Sequence, residues 1–404
     1  MTEPPLPATP PDQPQPPGAP ETQAVLESPG TPKSQAAPES QAAPDQPHAG
    51  RRARGRREPR EERRFVSSIK TGAFVLLLAA ILFVAILLSL CTGQYNMTMA
   101  DSAHILFGTL LGWEQDWTKI AQNVVFALRL PRACAAALVG ASLAISGAVY
   151  QGIFRNPLVS PDLLGVSSGA CVGAAVAILA GLTAFQIQMS AFAFGILTVA
   201  VTLLIPRLLR SESNIMLVLS GVIVGGLMGS VMGFIKYIAD PETQLAEITY
   251  WQMGSFAYVK PNNITSVLPT MAVGFVLLYV MAWWIDILSL GDDEAKSLGV
   301  RVQLVRNLSI AGATLLTSSA ICICGTVGWI GLVIPHFARM FVGPNNTRLL
   351  PSAALMGAIF MVTVDLVART LTTVELPLSV LTGFIGAPFY VFLLYKTKGK
   401  GQLR

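Results

Sequence analysis

From residue 71 to residue 395 the chain alternates apolar runs with short polar breaks. A helical run of about 20 residues, rising 1.5 Å per residue, crosses the roughly 30 Å of bilayer hydrocarbon. The runs fall near 71–90, 133–154, 163–182, 184–206, 215–235, 264–285 and 304–324, with shorter ones near 328–342, 350–370 and 376–395. The pattern predicts ten transmembrane helices. Asn307 to Pro335 carries no charge, and a single helix of that length would extend roughly 45 Å, too long for one crossing. The chain must turn back, and Gly325, Gly328 and Gly331 are the natural break. That leaves 328–342 as a short, irregular span carrying Pro335, His336 and Arg339. Irregular backbone at membrane depth persists only where protein or a water-filled cavity surrounds it.

Composition agrees with a bilayer protein: 52% of the 404 residues are hydrophobic, 13% are charged, and mean hydropathy is +0.56. The charges are uneven, with ten of the 28 Lys and Arg in the first 70 residues. Residues 1 to about 50 hold 14 of the 27 prolines and an imperfect repeat, Ser34-Gln-Ala-Ala-Pro-Glu39 and Ser40-Gln-Ala-Ala-Pro-Asp45. With almost nothing large and apolar to bury, this segment reads as disordered and partly polyproline II. The basic run Arg51 to Arg57 and Arg60 to Arg64 would suggest nucleic acid in a soluble chain. Abutting an apolar span, it reads instead as a cytoplasmic anchor attracted to anionic lipid. The spacing around Arg63, Arg64 and Phe65 does not fit a twin-arginine export signal. The chain therefore divides into a Pro-rich and basic tail (1–64), a ten-span domain (65–398) and a short cytoplasmic tail (399–404).

Ten spans put both termini on one side. With the N-terminus inside, the inner segments hold the basic tail, Lys70, Arg155, Arg207, Arg210, Lys296, Arg301, Arg306, Arg339, Arg348 and the residues from Lys396 on. The outer side holds only Lys119, Arg129, Arg132, Lys236, Lys260 and Arg369. The positive-inside rule makes both termini cytoplasmic. Gly221, Gly225, Gly226, Gly229 and Gly233 share one span, a spacing that serves close helix packing or the lining of a path.

No phosphate loop, zinc-protease motif or nucleophile elbow occurs, so the chain carries no ATPase or hydrolase constellation of its own. Cys91, Cys134, Cys171, Cys322 and Cys324 are scattered in apolar segments and read as small buried hydrophobes; no histidine stands nearby to complete a metal site. Ionisable groups inside spans are costly and therefore informative. Asp365 and Arg369 lie four apart on one helix face, where they can pair. His336 and Arg339 either cap the short span or meet lipid phosphate.

Several motifs occur in order: Leu128-Arg-Leu-Pro-Arg132, Gly147 to Gln151, Arg155-Asn-Pro-Leu158, Pro161-Asp-Leu-Leu-Gly165, Trp251-Gln-Met-Gly254, Gly291 to Gly299, Gly328 to Arg339, Asp365-Leu-Val-Ala-Arg369 and Glu375-Leu-Pro-Leu. Together, from about residue 70 to 398, they resemble the FecCD family, permeases of bacterial importers for iron–siderophores, haem and cobalamin. The resemblance implies a ten-span subunit of the inner membrane that pairs with a second permease subunit, in a homodimer, around a central path. It also implies two cytoplasmic ATPase subunits, which bind the ATP and Mg, and an extracytoplasmic substrate-binding protein. No cofactor is expected on this chain.

In that family, outward-facing arginines meet glutamates of the binding protein, and the matching positions are Arg129, Arg132 and Arg369. The charge tally places all three outside, where an Arg–carboxylate pair would set orientation and on-rate. Between the sixth and seventh spans, Asp292, Asp293 and Glu294 open a short helix, Ala295 and Leu298 give it an apolar side, and Gly299 ends it. The resemblance makes this the element that couples to the ATPase. Asn214 aligns with a cytoplasmic gate. The Pro-rich tail and the loop Asp240 to Glu247 depart from the family pattern.

Three classes of function are compatible with a polytopic chain. A binding-protein-dependent permease accounts for the ordered motifs and the acidic coupling segment. An ion-gradient-driven carrier would place acidic residues deep in several spans, and the sequence places only Asp365 so. A membrane enzyme lacks any constellation. Among cargoes, a ferric siderophore or other iron complex is expected from the family's usual role, with cobalamin and haem as alternatives.

Overall fold

The computed structural model describes residues 60–93, 95, 97–211 and 213–398, and every regular element among them is helical. The Pro-rich segment and most of the basic run, up to residue 59, and the tail 399–404 lie outside the described residues. In chain order the helices are α1 (Arg60–Cys91), α2 (Met99–Leu111), α3 (Lys119–Asn123), α4 (Leu130–Ile153), α5 (Val166–Leu179), α6 (Ala184–Leu208), α7 (Asn214–Ile238) and α8 (Gln244–Met253). They continue with α9 (Pro261–Leu288), α10 (Asp292–Ser297), α11 (Val302–Cys324), α12 (Ile330–Val342), α13 (Asn346–Ala368) and α14 (Leu378–Lys398).

Each of the ten predicted spans has its helix. Seven runs are long and apolar enough to cross a membrane, whereas α5, α12 and the apolar part of α14 are shorter. The break predicted after the seventh span falls at Gly325, whose φ of 77° is a left-handed conformation that a side chain would resist. The second span differs from expectation. It starts at Lys119 rather than near 133, because α3, a π-helical stretch (Val124–Arg129) and α4 form one continuous rod. Pro131 in the first turn of α4 has no N–H to give and crowds the preceding turn. The rod accommodates this by widening, so that Leu130 N–H bonds Val125 O five residues back. Two further helices lie outside the predicted spans: α2, and α8, which begins within the loop Asp240 to Glu247. α2 starts on a reciprocal cap between Thr98 and Asp101 and stops at left-handed Gly112.

Helices α4 and α11 form the core: 78% of the best apolar window of the Lys119–Ile153 rod and 72% of that of α11 are buried, against 17% for α1. Around them α1, α6, α7 and α9 turn large apolar side chains outward, for example Leu76, Tyr237 and Val276. Such a surface suits lipid, which is as apolar as the side chains themselves. Contact between core helices is backbone to backbone. A Cβ on Gly140 of α4 would stand 2.1 Å from Gly357 O of α13, and one on Gly147 would stand 1.8 Å from Gly331 O of α12. Small residues let these axes approach and gain dispersion energy that no hydrophobic effect supplies in lipid.

Candidate functional site

At the end assigned outside by the charge tally, three arginines and two carboxylates converge. Arg132 donates through Nε to Asp365 Oδ1 at 2.9 Å and forks onto both oxygens of Glu375 at 2.7 and 3.0 Å. Asp365 is fully buried, whereas the Glu375 side chain is 39% exposed. Arg369 Nε approaches Asp365 Oδ2 at 3.7 Å, so the i,i+4 pair of α13 is part of a wider network. The rest of the Arg369 guanidinium serves α1, with Nη1 donating to Thr92 O at 3.0 Å and Nη2 to Ser89 O and Ser89 Oγ at 2.7 Å. Arg129, equally buried, donates to Leu90 O and Tyr95 O at 2.6 Å and to Cys91 O at 3.2 Å. The carbonyls that end a helix have no intrahelical partner and carry its negative partial charge. Here two arginines satisfy them for α1. Of the three candidate docking arginines, Arg129 and Arg369 are thus engaged with backbone, and Arg132 faces the rim through Glu375.

At the opposite end, α10 follows left-handed Gly291 and ends before Gly299, whose φ is 79°. Ala295 is fully buried beneath it, while Leu298 and the acidic residues Asp293 and Glu294 are exposed. Asp292 faces the opposite way. Its Oδ2 accepts from Arg306 Nη2 at 2.7 Å, and Oδ1 stands 3.9 Å from Arg155 Nη2. Arg306, 2% exposed, belongs to α11, and Arg155 follows α4, so Asp292 ties the exposed helix to both core helices. Nearby, Asp286 at the end of α9 accepts from the backbone and side-chain nitrogens of Asn346 at 2.8 and 2.7 Å, fixing the start of α13.

Between the two ends lies a cavity of about 420 Å³ lined from α5, α7, the end of α8, the α11–α12 break and the start of α14. Asp162 is the one charged side chain among its described lining residues. Its depth is fixed by three neighbours. Leu164 O accepts from Thr202 of α6 at 3.1 Å, a Cβ on Gly221 of α7 would stand 2.1 Å from Leu163 O, and Pro161 lies against Gly331 beside Leu143 O of α4. Counted along α4, α6 and α7, those contacts fall roughly 10–15 Å inside the inner end. After Arg155 the chain therefore re-enters the bundle, and the 3-10 turn Pro161–Leu164 sits about a third of the way along the spanning helices from their inner ends. The sequence reading placed Asp162 at a span boundary. The structure moves it inward, because α5 has only 14 residues and begins inside the bundle rather than at its inner edge. Ser167 of α5 donates its hydroxyl to the Asp162 carboxylate. Trp329 lines the same cavity in a left-handed conformation, φ 72°, with its ring seated where Gly386 leaves room.

Away from this cavity, Asn214 opens α7 and is half-buried, with Oδ1 enclosed and without a hydrogen bond. Arg339 donates to Gln151 Oε1 and, at 3.3 Å, to Ala148 O, while Gln151 Nε2 donates to Leu332 O at 3.1 Å, locking α12 to α4. All five cysteines are free thiols, and among the described residues no group of three His, Cys, Asp or Glu is placed to hold a metal ion. In the loop before α8, Thr243 Oγ1 and then the Glu242 N–H donate to Asp240 and hold its carboxyl below the usual carboxylate range. Glu375 and Asp162 stand within motifs of the sequence, but neither spacing nor periodicity shows that one is an arginine's partner and the other a cavity wall.

Comparison with known proteins is consistent across the chain. A family model described as the FecCD transport family matches residues 76–396. The molybdate import system permease protein MolB of Haemophilus influenzae is 39% identical over 325 residues, covering 80% of this chain and 96% of that protein. An iron chelatin transport system permease protein of Helicobacter pylori is 41% identical over 276 residues, covering 68% and 83%. A solved metal-chelate type ABC transporter in an inward-facing conformation superposes with a TM-score of 0.73 at 37% identity, over 80% of this chain and 99% of that one.

Proposed function

This chain belongs to the FecCD transport family and is a multi-pass inner-membrane permease of an ABC importer, and from that premise we propose that it forms the translocation path for an iron complex, a ferric siderophore above all. In this reading the chain works as a homodimer with two cytoplasmic ATPase subunits and an extracytoplasmic binding protein, and hydrolyses no ATP itself. The observation that carries the reading is α10: an exposed acidic turn, anchored by Asp292 to Arg306 of α11 and close to Arg155 after α4. A helix so placed transmits a push from below to the two most buried helices above it. We assign ATPase coupling to Asp292, Asp293, Glu294, Ala295, Leu298 and Gly299, and gating to Asn214.

At the outer end, Arg129, Arg132 and Arg369 form the proposed docking surface. Arg132 is its exchangeable member, since a carboxylate of the binding protein can replace the half-exposed Glu375 on the fork. Arg129 and Arg369 then hold the surface rigid and positive. The cargo preference has support in the iron chelatin relative, and the molybdate relative supplies the contrary case. The test is reconstitution with the partner ATPase and binding protein in liposomes, followed by ATP-dependent uptake of ferric siderophore, haem, cobalamin and molybdate. Uptake of iron complex that requires both partners is the expected result. Uptake driven by an ion gradient without them would overturn the importer reading, and uptake of molybdate alone would overturn the cargo.

A further inference from the structure

Asp162 stands out because a carboxylate inside a membrane-spanning bundle is costly and is retained there for a reason. It is not consumed by an ion pair: the hydrogen bond the structure gives its side chain comes from the Ser167 hydroxyl, and the residue remains exposed to the cavity. The other polar lining groups, Ser168, Gln252, Thr326 and Ser379, are uncharged. Lys236, one turn beyond Met232 on α7, is not among the lining residues. The first turn of α5 and the residue that caps α12, Trp329, face the same space, and the partial positive charge of a helix start is local to its first turn. At α5 that charge is met by Asp162 itself, through Ser167. The formal charge that a passing molecule meets is therefore negative, partly screened by the water that reaches it.

We infer that the Asp162 cavity is a charge-selective station on the translocation path, which admits neutral and cationic metal chelates and rejects oxyanions and polyanionic chelates. The inference rests on the importer reading and narrows its cargo. Among ferric complexes it selects the trishydroxamate type, neutral or cationic overall, over the trianionic triscatecholate type. It also separates this chain from a permease for molybdate. Recognition is electrostatic at Asp162 and by hydrogen bonds at Gln252 and Ser168, and the Trp329 face offers an apolar wall to the chelate's periphery.

The test is equilibrium binding to the purified permease–ATPase complex in nanodiscs without the binding protein, so that no upstream selection intervenes. The probes are ferrioxamine B (cationic), ferrichrome (neutral), ferric enterobactin (trianionic) and molybdate. The wild-type complex is expected to bind the first two and neither of the others. Asp162→Asn is expected to weaken ferrioxamine B about tenfold, the effect of one nearby charge partly screened by water, and to leave ferrichrome unchanged. Gln252→Glu, which adds a carboxylate to the same wall, is expected to raise the preference for the cation and to restore it in the Asp162→Asn background. That rescue keeps the claim testable should Asp162→Asn alone disturb assembly.

Binding of ferric enterobactin or molybdate as tight as that of ferrioxamine B, or a cation preference that neither substitution moves, would overturn the inference. Import of haem or cobalamin by the full system with no binding of the ferric probes would refute the selectivity while leaving the importer intact. ATP-independent import would refute the reading beneath it.

Discussion

Arg132 of α4 and Asp365 of α13 meet at 2.8–2.9 Å through both Nη2 and Nε, joining helices 233 residues apart in sequence around a carboxylate with no solvent exposure. Removing Asp365 deprives Arg132 and Arg369 of their shared buried carboxylate, and although Arg132 keeps Glu375 the loss costs up to about 3–5 kcal/mol. Asp365→Ala should therefore lower the thermal unfolding temperature of the detergent-solubilised permease sharply. The double variant Arg132→Met/Asp365→Leu should recover only part of that loss, because it removes the unbalanced Arg132 charge while Arg369 and Glu375 keep theirs.

Arg129 offers a cleaner separation of holding from docking. Its guanidinium bonds the Leu90 and Cys91 carbonyls at the end of α1 and the Tyr95 carbonyl just beyond it, and a lysine cannot reproduce that fork. Arg129→Lys should cost about 1–3 kcal/mol in stability. Glu375→Gln removes the rim carboxylate of Arg132 without touching α1. It should leave the unfolding temperature nearly unchanged and alter stimulation of ATPase activity by the binding protein. If Arg129→Lys is as stable as the parent, the capping role assigned to Arg129 is wrong.

Glycines at helix crossings should respond to a methyl group, and lipid-facing ones should not. A Cβ at Gly147 would collide with Gly331 O, so Gly147→Ala should destabilise by about 1–3 kcal/mol through overpacking. Gly72 in α1 has no atom within 4 Å of such a Cβ. Gly72→Ala should be neutral or stabilising by up to about 1 kcal/mol. Comparing the two unfolding temperatures checks this.

Coupling can be separated from assembly. Asp292→Asn weakens the charged bond to Arg306 while keeping α10 exposed, so the ATPase should still co-purify and uptake per ATP hydrolysed should fall several-fold. Gly299→Pro is harsher. Proline holds φ near −65° and cannot adopt the 79° found there, so the complex should dissociate or lose transport entirely. Unchanged uptake in both variants would show that α10 is not the coupling element.

Most of the fold is legible in the sequence because a bilayer demands long apolar helices and leaves few alternatives. Asn307 to Pro335 shows this well: span length alone required the break that Gly325 provides. The sequence is less informative where the chain departs from whole crossings. Lys119 to Leu128 has the polar flanks of a loop, yet it continues the rod, because Arg129 and Arg132 find partners on α1, α13 and the segment before α14. Asp162 looked like a boundary residue for the same reason: its depth is set by contacts with α4, α6 and α7 that no local spacing encodes. At the outer end, the i,i+4 pair Asp365 and Arg369 was readable, whereas the arginine–carbonyl bonds to α1 were not, since backbone acceptors leave no mark on side-chain identity.

The half-length helices α5 and α12 carry a consequence for biogenesis. With 14 and 13 residues, and with Asp162 just ahead of the first, neither can partition into lipid as an independent crossing when it leaves the ribosome. The α5 hairpin must wait at the insertion site until α6 and α7 emerge to cover Leu163 and Leu164, and α12 must be received by the groove that α4 already presents at Gly147. Membrane insertion of this chain is thus ordered by tertiary contact, and the early rod from Lys119 to Ile153 serves as the template on which later segments are threaded.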